Sequence, residues 1–157
     1  MTFFVHVKAG FRCWRYSVLP WLIALAWVPV AAQERVELRI DDQPLWVEIA
    51  ATPAQRTQGL MGRAPLRQDE GMLFVFAGDD IRCLWMRDTP NALAAVFATA
   101  RGEILNLAEM QPQTDTRHCS RAPARYALET APGWFSQRGI VPGARIQGLE
   151  AVPPALR

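Results

Sequence analysis

The sequence predicts an α+β fold that is mostly β, a compact twisted sheet or small barrel with two short helices. Two observations carry this. Short apolar segments with strand patterning recur at roughly ten-residue spacing, separated by turn signals. Only two stretches have helical character, and both are brief.

"RVELRI" and "LWVEIA" alternate apolar and polar residues around "DDQP", the pattern of a β-hairpin. In "ATPAQRTQGLMGR", Thr52 is placed to cap a helix with Pro53 at its first position, and Gln55 completes a capping box. Gly59 and Gly62 end that helix near Met61. "GMLFVF" puts Met72, Phe74 and Phe76 on one face of a strand and Leu73 and Val75 on the other, so it should be buried on both faces. "IRCLWMR", "ALAAVFAT" and "EILNLAEM" follow as strands, joined by "DTPN" and "ARGE". In this reading Trp85 shares a core-facing side with Cys83, and Met86 is packing. Residues 111–124 are polar and proline-containing with neither period, a long loop of the kind that is functional or tethered. A strand at "RYALET", a one-turn helix around residues 133–138 and a last strand at "ARIQGL" complete the chain, with a frayed tail at "PPALR".

The first thirty-two residues belong to a different class of segment. Lys8, Arg12 and Arg15 precede the apolar run "VLPWLIALAWVPVAA", with Val30 and Ala32 at the positions a signal peptidase accepts. Cleavage after Ala32 is expected, giving a periplasmic or secreted protein. The alternative is a membrane anchor left uncleaved, but the run falls short of the ~20 residues a spanning helix needs and is broken by Pro20 and Pro29. Residues 33–157 then form a single exported domain.

Without the leader the chain has fourteen arginines against fifteen carboxylates and no lysine. Near-neutrality gives no basic footprint for nucleic acid, and lysine Schiff-base chemistry is excluded. Cys83 and Cys119 remain after cleavage and are expected to form one disulfide, since they lack the Cys-x-x-Cys spacing of a redox pair.

Seven ordered motifs, "TPAQRTQGLMGR", "DEGMLFVF", "CLWMRDT", "GEILNLAEMQPQT", "PARYALE", "GWFSQRGI" and "PGARI", resemble the family catalogued as domain of unknown function 192, also called uncharacterised protein family 0127. The resemblance spans about residues 47–146. It implies a compact α+β domain, mostly β, often exported in bacteria and without an established activity. Members usually read Lys-Asn-Thr where this chain has Arg87, Asp88 and Thr89, and often have a proline and an acidic or hydroxyl residue at Ala92 and Ala94. Because asparagine fills the Asp88 position elsewhere, a general-base role gives way to a turn in which the side-chain oxygen bonds the backbone two residues on.

Candidate ligand-binding residues are Arg63, Glu70, Arg87, Glu129 and Trp134. Arginine suits bidentate recognition of carboxylate or phosphate, and tryptophan is a platform for a sugar ring. Arg63, Arg87 and Arg125 could equally pair with Glu70 and Glu129 to pin the fold. Trp134, beside Gly133, is expected to be partly exposed, more so than Trp46 or Trp85. No catalytic residue, metal or cofactor is assigned. His118 is the sole histidine after cleavage, and Met61, Met72, Met86 and Met110 lie in apolar patterns that favour core filling over copper ligation. The leading expectation is an accessory or ligand-binding domain for a polar or anionic envelope ligand or glycan fragment. The alternatives are a glycan hydrolase using Glu70 and Glu129, or a partner-binding protein with no small-molecule site. Membrane contact is expected only through the leader, and the oligomeric state is left open.

Overall fold

The computed structural model describes residues 35–156. The expected leader and its cleavage site lie outside the described residues. In chain order the elements are β1 (Arg35–Ile40), β2 (Gln43–Ala50), α1 (Pro53–Gln58), β3 (Glu70–Asp80), β4 (Cys83–Leu84), β5 (Leu93–Ala98), β6 (Ile104–Met110), β7 (His118–Cys119), β8 (Ala124–Thr130) and β9 (Ile146–Gln147). Single 3-10 turns occupy Ser136–Arg138 and Leu149–Ala151. The expected two short helices are therefore one α-helix and two 3-10 turns. Around Ser136 the chain has no side-chain cap and turns left-handed at Gly139, which stops propagation after one turn.

Seven strands form one sheet in the order β6-β5-β8-β3-β2-β1-β9, curled into a half-barrel, and β4 pairs with β7 as a separate ribbon. The β1–β2 hairpin is antiparallel with Arg35 opposite Glu48, and Asp41 and Asp42 both take positive φ in its tight turn. β2 and β3 are parallel, so the chain must cross over between them, and α1 lies in that crossover. Thr52 and Gln55 form the reciprocal capping box that the sequence predicts.

The curl brings the two ends of the sheet together. Segment 143–147 pairs with β1 through Ile146 and Gln147, and also bonds the start of β6: Ile104 N donates to Ala144 O at 2.9 Å, and Ile146 N to Gly102 O at 2.8 Å.

Two apolar clusters result. One fills the inside of the curl with Leu38, Ile40, Val47, Leu73, Val75, Val96, Leu128, Trp134 and Ile146. The other lies on the opposite face, where Met72, Phe74, Ala95, Phe97 and Ala127 meet Leu60, Leu84 and Met86. β3 supplies both, as its uninterrupted apolar run requires.

Two expectations about the periphery are corrected, the full strand and the frayed tail, and the expected disulfide is present. "IRCLWMR" is not a full strand, because only Cys83–Leu84 pair in the ribbon. The long loop contains β7, and its disulfide joins Cys83 to Cys119, which are register partners. The tail is tied down through Leu156, whose N–H donates to Ala51 O at 2.8 Å.

A candidate ligand cleft over a buried carboxyl

Register places Glu48, Met72, Glu129 and Ala95 in one row across β2, β3, β8 and β5. Alternation then points all four toward the second cluster, the face covered by α1 and the β4–β7 ribbon. Between those covers lies a cleft of about 370 Å³. Pro53, Arg56, Thr57 and residues 58–61 form one side, Cys83, Leu84, Trp85 and Thr89 the other, with Phe74 and Glu129 between them. Glu129 is only 4% exposed. Burial pushes its carboxyl up to about 8, with no compensating partner among the described residues. A carboxyl in that condition is neutral at pH 7 and opens onto the cleft.

Trp85 stands on the ribbon side, 41% exposed. The Arg87 guanidinium lies 5.3 Å from its ring centroid and is itself held by Asp115, Nε to Oδ1 at 2.8 Å. Arg87 thus braces the cleft wall and does not line the cleft. On the far side Arg56 donates from one nitrogen to Ala51 O at 2.6 Å and Val75 O at 3.0 Å. Those bonds tie α1 to the residue that follows β2 and to the middle of β3.

The other predicted site residues fall elsewhere. Arg63 donates to both Glu48 oxygens, at 2.8 and 2.9 Å. Arg35 bridges Glu48 (3.4 Å) to Glu70 (2.9 Å), and Glu70 also accepts from the Arg67 N–H. Arg63 and Glu70 are joined in one ion-pair chain outside the cleft lining. Arg125 pairs with Asp79. Trp134 is fully buried, its indole N–H donating to Gln68 O at 2.7 Å, so the expectation of exposure fails. A buried tryptophan must satisfy that N–H, and the β2–β3 crossover supplies the acceptor. Exposure belongs instead to Trp46 and Trp85, and Trp85 is not core.

Asp88 is a turn maker through its backbone. It adopts φ 53°, Thr89 N closes the turn onto Met86 O, and Asp88 O accepts from Gly62 N. Asparagine and aspartate tolerate the left-handed region, a physical reason for their exchange at this position.

Residues 36–148 match the profile of DUF192, a family described as uncharacterized ACR. The chain belongs to the DUF192 family. Two solved structures resemble this DUF192 chain. One, from Sinorhizobium meliloti 1021 and described as a proposed transcription regulator, is 36% identical with a TM-score of 0.69, over 74% of this chain and 94% of that one. The other, a protein of unknown function from Novosphingobium aromaticivorans, is 28% identical with a TM-score of 0.70, over 76% and 89%. No curated protein matches the chain.

Two residues, one beside the cleft and one in its wall, took environments that sequence reasoning missed. Glu48 reads as an outward position in a hairpin, yet it is 7% exposed beneath Arg63. Trp85 sits in an apolar run that reads as core. The missing signal in both cases is which side of the sheet receives a cover, and alternation alone does not carry it.

Proposed function

We propose that this DUF192 chain is an exported small-ligand-binding domain whose site is the cleft over Glu129. The carrying observation is a carboxyl, on a residue only 4% exposed, that makes no hydrogen bond to the described residues and opens to a cleft walled by a partly exposed tryptophan. A carboxyl with no protein partner takes its hydrogen bonds from whatever enters the cleft, so this site is a candidate for meeting a ligand group from outside. Export is supported by the leader pattern and by the disulfide, which persists in oxidising compartments.

The anionic-ligand expectation loses support, because Arg63 and Arg87 are engaged by Glu48 and Asp115 and neither lines the cleft. The hydrolase alternative needs a second carboxylate facing Glu129. Glu70 is held by Arg35 away from the lining, and Glu129 is the one carboxyl among the lining residues. The regulator description of the S. meliloti relative is not favoured either, since arginines and carboxylates nearly balance here.

The test is a thermal-shift and native mass-spectrometry screen of the purified protein against small polar compounds, repeated on Trp85→Ala. Compounds bound by the parent and lost in that variant, at nearly unchanged stability, support the cleft. Hits that all persist in Trp85→Ala and in Glu129→Gln overturn it.

A further inference from the structure

We propose that the cleft recognises a small organic ammonium group, with Glu129 as its counter-ion and Trp85 and Phe74 as aromatic walls; this rests on reading the cleft as a binding site. Among the described residues no cation pairs with the Glu129 carboxyl, which leaves one half of an ion pair open to the cleft. Two neighbours could have supplied the other half and do not. Arg56 lines the same cleft, but one terminal nitrogen is spent on the carbonyls of Ala51 and Val75, the other donates to Leu156 O at 3.4 Å, and its guanidinium lies 5.8 Å from the Phe76 ring centroid. Arg63 is spent on Glu48, two strands away in the same row.

The rest of the lining fits a cation better than an anion. Phe74, Leu60, Met61, Leu84 and Trp85 offer rings, alkyl groups and sulfur, and aromatic faces attract ammonium groups through their quadrupole. The Trp85 ring already carries one cation, the Arg87 guanidinium, whose charge Asp115 offsets. An ammonium ion brings to the carboxylate both charge and, when primary, three N–H donors, which a hydroxyl cannot match.

The charged groups around Glu129 give the proposal a sign. β3 and β5 present Met72, Phe74 and Ala95, and the ribbon presents Cys83, Leu84 and Trp85, none of them charged. Arg56 from α1 and the Arg63-bound Glu48 are the charges nearby in the cleft and the row. With burial pushing the carboxyl to about 8, the empty cleft holds it protonated at neutral pH. An ammonium ligand must therefore displace that proton to the buffer, and its affinity should rise about tenfold per pH unit from about pH 6 to 8, then level off. A neutral ligand that accepts a hydrogen bond from the protonated carboxyl shows the opposite profile, flat below pH 8 and falling above it.

Calorimetric titration of the purified protein with choline, ethanolamine and 3,3-dimethylbutan-1-ol, the uncharged carbon isostere of choline, decides between them. The expected result is at least tenfold tighter binding of an ammonium probe than of the isostere. Release of close to one proton per ligand at pH 7 should appear in buffers of different ionisation enthalpy. In Glu129→Gln the preference for charge should vanish. Proton release is read on the parent protein, so the outcome does not depend on how that variant folds. Equal or tighter binding of the isostere, an affinity that falls with rising pH, or failure of both ammonium probes to bind overturns the ammonium assignment. The cleft reading falls separately, on hits that ignore Trp85→Ala.

Discussion

Glu129 sets a pH dependence that runs opposite to that of a paired carboxylate. Its folded pKa of about 8 lies above the ordinary value of 4.5, so between those values the folded state holds a proton that the unfolded state has lost. Its contribution to stability is therefore fully present below pH 4.5, declines by about 1.4 kcal/mol per unit as pH rises, and levels off above pH 8. Relative to a permanently neutral amide, Glu129 costs about 3 kcal/mol at pH 7 on this reckoning. Glu129→Gln should raise the urea midpoint at pH 7 and flatten the decline between pH 5 and 8; an unchanged slope would mean that the carboxyl is ionised inside the fold. Asp88 differs in kind, since its backbone conformation is what matters. Asp88→Asn should leave stability and ligand binding intact, whereas Asp88→Val should cost about 1–2 kcal/mol by chemical denaturation, the penalty of a β-branched residue at positive φ. At this scale the sequence is partly legible. The Asp/Asn preference for turns marks Asp88 correctly, but the expected side-chain hydrogen bond is not the reason. For Glu129, Trp85 and Trp134 the chemistry was visible and the environment was not, because burial depends on Leu60, Leu84 and Gln68, contributed from distant parts of the chain.

The elements that shape the cleft are weak alone and depend on tethers. α1 has six residues, too few to persist without its capping box and the Arg56 bonds to Ala51 and β3. The β4–β7 ribbon has two residues on each side, extended by reciprocal bonds between Arg82 and Ser120 and closed by the Cys83–Cys119 disulfide. Asn106 fastens the ribbon to the sheet, donating to Cys119 O and accepting from Arg121 N. A disulfide with a sequence separation of 36 is worth about 4 kcal/mol by the loop-entropy estimate. Replacing both cysteines by alanine should lower stability by roughly that amount, seen as a shift in urea midpoint, and should weaken ligand binding further because Leu84 and Trp85 lose their anchor. Loss of stability alone, with binding retained, would separate the ribbon from the cleft. The capping box, the hairpin and the doubly buried β3 were legible in sequence because each is a local pattern with its own physics. The ribbon was not, since two-residue strands have no period to detect, and the pairing of Cys83 with Cys119 could be read only from cysteine arithmetic.

At the scale of the whole molecule, the half-barrel depends on one corner where the two ends of the sheet meet. The alternating strands predict a curled sheet but not the place where it closes, because that contact joins residues about forty positions apart. Gly102 occupies the corner at φ 79°, and a β-carbon there would stand 2.5 Å from Ile146 O and 2.8 Å from a Leu149 methyl. The Gly102 carbonyl meanwhile accepts from Ile146 N at 2.8 Å, the bond that links the β6 end to β9. A methyl at this position must break that approach as well as strain the backbone. Gly139 supplies the control, with φ 68° and nothing within 4 Å of a β-carbon. Gly139→Ala should therefore cost only the left-handed penalty, about 1–2 kcal/mol. Gly102→Ala should cost clearly more, because backbone oxygen cannot retreat as a flexible side chain can. It should also accelerate amide exchange at Ile104 and Ile146, whose N–H groups bridge the seam. Equal costs for the two substitutions, with exchange at those amides unchanged, would show that the corner does not hold the sheet closed.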